Sequence, residues 1–448
     1  MEKKTVIIVG AGLAGSLMAI YLVRRGYQVK VYESRADMRK STVQAGRSIN
    51  LALSDRGILA LKGVDLDLDI LKEAVPMPGR MLHSVEGDLT YAPYGKNEDQ
   101  YINSISRAGL NMQLMDQAES YDGVELYFNM RCESIDLEKT QANFTDLETG
   151  QSIEATASFI IGGDGANSAV RRSMINSIPD FDQQVDWLDH GYKELTIPAG
   201  ENSAFRIEKN ALHIWPRGNY MLIALPNNDG SFTCTLFFPM TGSPSFEELQ
   251  SDEQIQQFFE EQFGDAVPFL DHLIEEFHRN PVGKLGTLTC SPWIYKDKVA
   301  LIGDAAHAIV PFYGQGMNAS FEDCRILDQC LENTSSIADA FALYYKERKE
   351  NGDAIGALAI ENFYEMRDHV ADPVFRRKRT LEFELENTFS DYASKYSLVT
   401  FHPEVTYHSA RQLGNKQDSF LMEYCREGLP EISADVLKNL HTKLSALK

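Results

Sequence analysis

The stretch TVIIVGAGLAG, residues 5–15, places a short β-branched run directly before the pattern Gly-x-Gly-x-x-Gly. A helical pattern follows over Leu13–Arg25 and ends at Gly26, and a second strand-like run spans Val29–Tyr32. Because a helix must cross over between strands that run in the same direction, this order predicts a β-α-β unit with parallel strands.

The three glycines of this pattern suit a dinucleotide. Gly10 permits a tight turn, Gly12 lets the backbone approach a pyrophosphate, and Gly15 lets the helix pack closely on the strand. The helix N-terminus then faces the phosphates, while the acid after the second strand can accept hydrogen bonds from a ribose diol. The predicted cofactor contacts in this unit are Gly10, Gly12, Leu13, Ala14, Gly15 and Glu33. The alternative is a glycine-rich turn beside a surface glutamate, and the unit alone does not separate FAD from NAD.

The bulk properties limit the function classes. A length of 448 residues indicates two or three packed units, and a net charge of −22 argues against nucleic acid or an anionic membrane surface as partner. We interpret the only dense basic run, residues 376–379, as a solvated or salt-bridged helix face. Six cysteines without CxxC spacing predict reduced core residues, with no metal site and no disulfide framework.

We expect a cytoplasmic protein without a membrane segment. The N-terminus lacks the apolar region of a secretory signal, and no stretch approaches the roughly 18 apolar residues that would span a bilayer. Leucines, an isoleucine and a valine recur at helical spacing over residues 432–447 with charges between them, which predicts an amphipathic packing helix rather than an anchor.

The middle and end of the chain have different patterns. Strand-like runs at Leu212–Trp215, Met221–Leu225 and Phe232–Phe238 are separated by turn signals, which predicts an antiparallel meander. From about Ser320 onward the pattern is helical. The predicted fold is α/β: a Rossmann-like dinucleotide domain, an inserted antiparallel-sheet domain and a helical C-terminal part. The expected ranges are 1–70, 100–180 and 285–335 for the first, 71–99 and 181–284 for the second, and 336–448 for the third.

Two further motifs decide the cofactor. FIIGGDGANS at 159–168 and KVALIGDAAH at 298–307 each run from an apolar strand into a Gly/Asp turn, and PFYGQGMN at 311–318 follows the second. They resemble the Asp-Gly and Gly-Asp motifs of the FAD-dependent aromatic hydroxylases related to para-hydroxybenzoate hydroxylase. Together with the first motif, this resemblance implies a flavoprotein with non-covalent FAD.

The resemblance also implies roles for single residues. Asp304 would bind the ribityl or pyrophosphate part of FAD, Asp164 would lie near the pyrophosphate and the nicotinamide nucleotide, and Arg107 would contact FAD. The turn at 314–318 would begin a helix whose N–H groups point at the flavin pyrimidine, where reduced flavin gathers negative charge. The residues assigned to FAD in this way are Arg107, Asp164, Gly303, Asp304, Gly314, Gln315, Gly316, Met317 and Asn318. We interpret His307 as a structural histidine rather than a general base.

Several segments are similar to the kynurenine 3-monooxygenase family within this class. They lie at residues 46–54, 79–84, 93–95, 361–367 and 396–401, and the similarity extends to about residue 410. It implies that Arg80, Tyr94, Asn362 and Tyr396 hold the amino-acid end of L-kynurenine. It also implies an apolar wall for the aniline ring, made of Leu212, Met221, Ile223, Leu225, Phe237, Pro311 and Phe312. The tail departs from the animal enzymes, which end in a membrane segment.

The implied reaction is hydroxylation of L-kynurenine to 3-hydroxykynurenine with NADPH and O₂ through a flavin C4a-hydroperoxide. Because a second Gly-x-Gly-x-x-Gly is lacking, we expect NAD(P)H to bind transiently, and disulfide reductases are disfavoured. We name no side chain as general acid or base and no metal ligand. The alternatives are a flavin hydroxylase of another aromatic acid, such as a benzoate or salicylate, or an oxygen-independent flavin reductase or redox-responsive binding protein.

Overall fold

The computed structural model describes residues 4–40, 50–95, 100–368, 372–428 and 432–447. Positions 46–49 of the segment 46–54 quoted above lie outside them. The strands in chain order are β1 (Thr5–Val9), β2 (Gln28–Tyr32), β3 (Asn50–Leu53), β4 (Val75–Met77), β5 (Gly79–His83), β6 (Leu89–Pro93), β7 (Ile102–Ser106), β8 (Val124–Tyr127), β9 (Met130–Asp136), β10 (Gln141–Asp146), β11 (Ser152–Thr156), β12 (Phe159–Gly162), β13 (Asp182–Ile197), β14 (Ala211–Arg217), β15 (Tyr220–Pro226), β16 (Phe232–Pro239), β17 (Gly283–Ser291), β18 (Ile294–Tyr295) and β19 (Val299–Leu301).

Helices cover the sheets and form most of the C-terminal part. In chain order they are α1 (Leu13–Arg24), α2 (Asp55–Lys62), α3 (Asp67–Lys72), α4 (Arg107–Glu119), α5 (Ala169–Ser177), α6 (Asp252–Gln262), α7 (Leu273–Arg279), α8 (Asp304–His307), α9 (Gly316–Asn333), α10 (Ile337–Asp368), α11 (Pro373–Thr388), α12 (Lys395–Thr400), α13 (Tyr407–Arg426) and α14 (Ala434–Ser445). The predicted change to helical structure near residue 320 is confirmed.

The predicted β-α-β unit forms the centre of a six-stranded sheet. β1 pairs in parallel with β2, from Thr5 opposite Gln28 to Val9 opposite Tyr32, and α1 connects the two strands. The sheet has the order β18-β19-β12-β1-β2-β8, with β12 parallel to both β1 and β19. β12 and β19 are buried along their whole length, as expected for strands of a parallel sheet covered on both faces.

The predicted meander is confirmed within a seven-stranded sheet of order β17-β13-β16-β15-β14-β5-β6. β14, β15 and β16 are antiparallel neighbours, and β5 joins β14 in parallel. Two three-stranded sheets, β3-β7-β4 and β11-β10-β9, complete the β structure of the described residues. The division of the chain into domains stays a proposal, since β4 pairs with β7 and β17 with β13 across its proposed boundaries.

The two faces of the seven-stranded sheet pack against different parts of the chain. Because side chains alternate along a strand, Leu222 points to one face and Met221 and Ile223 to the other. The first face packs with α6 and α7 in a core rich in phenylalanine. The opposite face contributes Met221 and Phe237 to a cluster that includes residues of α10, α12 and α13. This opposite face is called the front face below.

The C-terminal helices confirm two sequence-based interpretations. α14 buries Leu437, Leu440 and Leu444 against a separate core with α11 and α13, so it is an amphipathic packing helix. In the basic run on α11, Lys378 is buried and lies 2.9 Å from Glu382 and 2.5 Å from Asp418, so that part of the run is salt-bridged. None of the helices in the described ranges is both long and apolar enough to cross a membrane. All six cysteines are free and buried.

Polar contacts connect β5 to residues on the rear face of the seven-stranded sheet, which is the face opposite the front face. His83 Nδ1 lies 2.6 Å from Asp265 Oδ2, and His83 Nε2 lies 2.8 Å from His213 Nδ1. The Trp215 indole N–H also donates to Asp265. Burial raises the pKa of the Asp265 carboxyl, but hydrogen bonds from His83 and Trp215 outweigh it, so the pKa is lowered overall. Asp265 therefore stabilises the fold as a carboxylate.

Asp265→Asn is expected to lower the free energy of unfolding by about 1–3 kcal/mol near neutral pH, because one acceptor is replaced by a donor. A lowered carboxyl pKa stabilises the fold above the unfolded-state value of about 3.9 and loses this effect as the pH falls below it. The difference between wild type and variant is therefore expected to stay constant from about pH 8 to pH 5 and to shrink below about pH 4. Urea unfolding across this range measures it.

Asp180→Asn, at an exposed position, is the control and is expected to change stability by less than about 0.5 kcal/mol. A pH-independent difference between wild type and Asp265→Asn would contradict the assigned role of the carboxylate.

Candidate active site

The turn between β1 and α1 accepts only glycine at two of its positions. Gly10 has a φ of +96°, and a Cβ there would lie 2.6 Å from the Gly163 carbonyl oxygen. A Cβ on Gly15 would lie 1.9 Å from the Gly10 carbonyl oxygen. A Cβ on Gly12, by contrast, would meet nothing within 4 Å. The space beside Gly12, immediately before the first turn of α1, is therefore open, which suits a pyrophosphate bound by the first-turn amides.

Glu33 closes this turn from the end of β2. Its carboxylate accepts the Ala11 N–H at 2.9 Å and is paired with Arg35, whose Nε lies 2.8 Å away. Burial raises the pKa of Glu33, but the charge and hydrogen bonds of Arg35 and the Ala11 amide outweigh this effect and lower it. Glu33 is therefore a fixed anion beside the turn, and its predicted ribose contact remains a proposal.

The Gly-Asp motif lies against the first motif. Gly303 has a φ of +58°, and a Cβ there would lie 3.2 Å from the Ala14 Cβ and 3.0 Å from Ser320 Oγ. Asp304 begins α8, is partly exposed, and forms no hydrogen bond or ion pair with another described residue. The residues present therefore fit a dinucleotide: the N-terminus of α1 and an acceptor that has no partner among the described residues lie at two adjacent turns.

The Asp-Gly motif has a partly structural role. Ser168 donates to Asp164 Oδ1 at 2.6 Å, and the Ala169 N–H donates to Oδ2 at 2.6 Å, so Asp164 caps the start of α5. Burial raises the pKa of the Asp164 carboxyl. Arg107, the first residue of α4, is exposed. Burial raises the pKa of the Tyr192 phenol, and the charge of Arg107 opposes this shift.

The Gly314–Asn318 turn is fixed by side chains that point away from its amides. Gly314 is in the left-handed region with a φ of +68°, and Gly316 and Met317 begin α9. Asn318 donates to the Ala52 carbonyl at 2.8 Å and accepts the Ser54 N–H at 2.9 Å. The Gln315 amide donates to Ser54 Oγ and accepts the Tyr407 hydroxyl. The first-turn amides of α9 consequently remain available to a ligand.

His307 is a structural residue here. Its Nε2 lies 2.6 Å from Asp323 Oδ2, both side chains are buried, and Asp323 also accepts the Gly303 N–H at 2.8 Å. This contact agrees with the interpretation of His307 as a hydrogen-bonding residue of the turn.

Three of the four residues predicted to bind an amino-acid group come together. The Arg80 guanidinium lies over the rings of Tyr94 and Tyr396, at 4.5 and 4.6 Å from their centroids, and the two rings stack at 5.6 Å. Burial by itself lowers the pKa of Arg80, but Tyr396 and Tyr94 outweigh it, so Arg80 stays charged. The fourth residue, Asn362 on α10, donates to the Phe312 carbonyl at 2.8 Å.

Most residues of the predicted apolar wall lie together on the front face. Met221 and Phe237 are opposite each other on β15 and β16, and the Phe237 ring lies 4.9 Å from that of Phe312. Leu212 and Ile223 belong to two adjoining apolar clusters together with Tyr396. Leu225 is in the second of these clusters. Pro311 is exposed at the start of a short 3₁₀ helix, so it lies at the rim rather than within the wall.

Two residues that the sequence did not single out belong to this arrangement. Tyr313 is buried and stacks on Tyr396 at 5.7 Å, which joins the aromatic group to the residue before Gly314. Arg56 is fully buried and binds carbonyl groups beside α12. Tyr313 lies within the quoted segment 311–318, but no periodic pattern indicated a pairing with Tyr396.

Comparisons with known proteins agree with this geometry. Residues 3–352 match the family model described as FAD binding domain. The kynurenine 3-monooxygenase of Myxococcus xanthus is 47% identical over 430 residues, which are 96% of this chain and 92% of the relative. The enzyme of the same name from Dictyostelium discoideum is 45% identical and covers 94% of this chain and 93% of its own length.

Solved structures share the fold. The tetrameric form of 2-methyl-3-hydroxypyridine-5-carboxylic acid oxygenase superposes with a TM-score of 0.66 at 23% identity, over 83% of this chain and 95% of the other. PqsL of Pseudomonas aeruginosa, solved with 2-aminobenzoylacetate, also gives 0.66 at 20% identity, over 82% and 97% of the two chains.

Asp304→Ala is expected to weaken FAD binding by about tenfold or more, because it removes a charge-assisted acceptor at the cofactor turn. The ratio of flavin absorbance to protein after purification, and titration of the apoprotein with FAD, measure this change. Asp297→Ala, in an exposed turn nearby, is the matched control and should keep its flavin. Equal FAD affinity in the two variants would remove the Gly-Asp motif from the cofactor site.

Proposed function

The chain belongs to the kynurenine 3-monooxygenase family of FAD-dependent hydroxylases, and we propose from this that it converts L-kynurenine to 3-hydroxykynurenine with NADPH and O₂. One observation carries the proposal that the substrate is an aromatic acid held by its carboxylate. The Arg80 guanidinium is enclosed by Tyr94 and Tyr396 at the edge of an apolar face, and within the described ranges no carboxylate forms an ion pair with it.

An arginine in this situation suits a substrate carboxylate. A charge that is largely removed from water needs a partner, and ring faces compensate for only part of the lost hydration. The planar guanidinium can bind both oxygens of a carboxylate at once. We assign the carboxylate of L-kynurenine to Arg80, with Tyr94, Tyr396 and Asn362 around its amino-acid end.

The apolar wall would hold the aminophenyl ring. Met221, Ile223 and Phe237 present a flat hydrocarbon surface, and Phe312 continues it to the Gly314–Asn318 turn. A ring placed on this surface is shielded from water and lies next to the amides that begin α9. The proposed role of the wall is therefore to orient the ring and to exclude water from the reacting carbon.

FAD, when bound and reduced by NADPH, supplies the activated oxygen for this reaction. The residues proposed to hold it are the glycines and first amides of α1, Glu33, Asp164, Gly303, Asp304, Arg107 and the 314–318 turn. The aniline amino group itself makes the neighbouring ring carbon electron-rich, and His307 is already bound to Asp323, so we assign no general base. We also propose a cytoplasmic location, which suits six buried thiols.

The proposed function is tested by aerobic oxidation of NADPH in the presence of a panel of aromatic acids. L-Kynurenine is expected to accelerate flavin reduction and NADPH oxidation, with one 3-hydroxykynurenine formed for each NADPH, because oxidation without substrate wastes reductant. The product is quantified by chromatography and mass spectrometry. Acceleration by a benzoate or salicylate but not by kynurenine would assign the enzyme to another substrate, and oxidation without hydroxylated product would exclude a hydroxylase.

Arg80→Met is expected to weaken kynurenine binding by about 10- to 150-fold, since a charge-assisted hydrogen bond contributes about 1.5–3 kcal/mol. Arg80→Lys should restore only part of the affinity, because an ammonium group cannot form the two-pronged contact. Isothermal titration with kynurenine measures the affinity, and the flavin content should remain near that of wild type.

Arg131→Met serves as the control, because Arg131 pairs with Glu133 on an exposed strand. Wild-type affinity in Arg80→Met would show that the carboxylate binds elsewhere.

A further inference from the structure

Arg56 is a fully buried arginine that the proposed reaction does not use. It lies on α2, its side chain is 0% exposed, and its guanidinium carbon lies 4.0 Å from the centroid of the Tyr407 ring. Arg56 NH1 donates to Glu322 Oε1 at 2.9 Å. A buried arginine is stable only when its five N–H groups find acceptors, so the remaining partners identify what Arg56 holds.

Those partners are backbone carbonyls at the end of α12 and in the loop after it. Arg56 Nε donates to the Val399 carbonyl at 3.0 Å, and NH2 donates to the carbonyls of Leu398, His402 and Val405. The last carbonyls of a helix have no partner within the helix. Arg56 therefore caps the C-terminus of α12 and fixes the loop that leads to α13, although it is more than 340 residues away in the chain.

The helix that Arg56 caps carries Tyr396. α12 has only six residues, Lys395–Thr400, so a helix of this length does not hold its place without tertiary contacts. Tyr396 lies in its first turn and contacts Arg80 and Tyr94 on one side and Tyr313 on the other. Lys395 pairs with Asp418 at the start of α12, so the position of the Tyr396 ring depends on how firmly both ends of this short helix are held.

On its other side Arg56 is connected to the flavin motifs. Glu322 also pairs with Arg348, and Arg348 Nε donates to Asp323 Oδ1 at 2.7 Å. Asp323 in turn accepts the Gly303 N–H. Ser54, two residues before Arg56, accepts and donates hydrogen bonds with Gln315 and Asn318 of the 314–318 turn. Arg56 is the side chain through which this buried network reaches α12.

We propose that Arg56 is a positioning residue for substrate binding, which holds Tyr396 against Arg80 by capping α12 from the flavin side of the molecule. The proposal rests on the proposed function, because it takes Arg80 and Tyr396 as the contacts of the L-kynurenine carboxylate end. Arg56 itself contacts neither Arg80 nor Tyr396. Its loss weakens the substrate site through the displacement of α12.

The test is the variant Arg56→Lys in the FAD-loaded full chain. A lysine can keep the pair with Glu322 but cannot reach four carbonyls at once, so α12 loses most of its cap. We expect the Kd for L-kynurenine, measured by isothermal titration, to rise about tenfold, the loss typical of one charge-assisted contact. KM should rise by a similar factor, while kcat at saturation and the flavin content stay near wild type.

Arg206→Lys is the matched control. Arg206 also donates to backbone carbonyls, those of Pro268 and Phe269, and pairs with Asp271. The Phe269 side chain packs against the cluster behind the sheet, so Arg206 lies on the face opposite to Arg80. This variant should lower the melting temperature without changing the Kd for kynurenine. If Arg56 had only a structural role, Arg56→Lys would also lower the melting temperature and leave the Kd for kynurenine unchanged. A Kd for Arg56→Lys within about twofold of wild type would therefore overturn the proposal.

A double-mutant cycle separates positioning from general loosening. In a Tyr396→Ala background the ring that Arg56 positions is gone, so Arg56→Lys should raise the Kd by less than about twofold further. If Arg56→Lys raised the Kd in the Tyr396→Ala background as much as it does in the wild type, the proposal would also be overturned. If Arg56→Lys is recovered only as aggregate, Arg56→Gln replaces it, because a glutamine amide can donate to at most two of the carbonyls and places no unpaired charge in the interior. Its Kd is judged by the same criteria.

Failure of this proposal is distinct from failure of the proposed function. A wild-type protein that binds no kynurenine contradicts the function itself. A wild type that binds kynurenine, with Arg56→Lys binding it equally well, contradicts only the role of Arg56.

Discussion

Four charged side chains, Arg56, Glu322, Asp323 and Arg348, are almost fully buried where the flavin motifs meet the C-terminal helices. Burial raises the pKa of Glu322 and Asp323, but the neighbouring cations outweigh it and lower both values, so the carboxyls remain ionised. In such a group each charge is tolerated only because the others are present, and removal of one leaves the rest without compensation. The network therefore allows few alternative arrangements of the Gly303 turn, α9 and α12.

The strand register of the seven-stranded sheet similarly constrains the proposed substrate site. On β5, Arg80 and Leu82 point to the front face, whereas Met81 and His83 point to the rear, where His83 meets His213 and Asp265. A slip of one residue in the pairing of β5 would exchange these faces and place Arg80 in an apolar core. The polar contact behind the sheet thus supports the register that brings Arg80 to Tyr94 and Tyr396 in front of it.

The parts of the fold that could be predicted from the sequence have a local cause. The β1-α1-β2 unit and the meander β14-β15-β16 follow from side-chain periodicity and turn residues within a few positions, and the glycines of the first motif follow from steric limits on single residues. Arg56 with Val399 and His83 with Asp265 are contacts over 343 and 182 positions, which no periodicity indicates. Glu33 shows the intermediate case: its place after β2 follows from the strand pattern, but no pattern in the sequence indicates its pairing with Arg35.

The distance between the two halves of the site limits the substrates that the proposed function allows. Arg80 lies on β5 and Phe237 on β16, with β14 and β15 between them, so the two strands are about three strand spacings, roughly 14 Å, apart. Phe237 is also four positions along β16 from Thr233, which lies in the row of Arg80, so the two residues are further apart than the strands. The Phe237 end adjoins Phe312 and the flavin turn, and the Arg80 end is closed by Tyr94 and Tyr396. A benzoate or salicylate carries its carboxylate directly on the ring, so it cannot place the anion at Arg80 and the ring at Phe237 together. L-Kynurenine carries its carboxylate at the end of a side chain, several bonds from the ring, so its reach is longer. Every aromatic acid offers Arg80 the same charge, so discrimination between these acids must come from the separation of Arg80 and Phe237. A ligand that fits poorly leaves polar groups of the site unpaired, and such a site rejects it more strongly than an apolar pocket does.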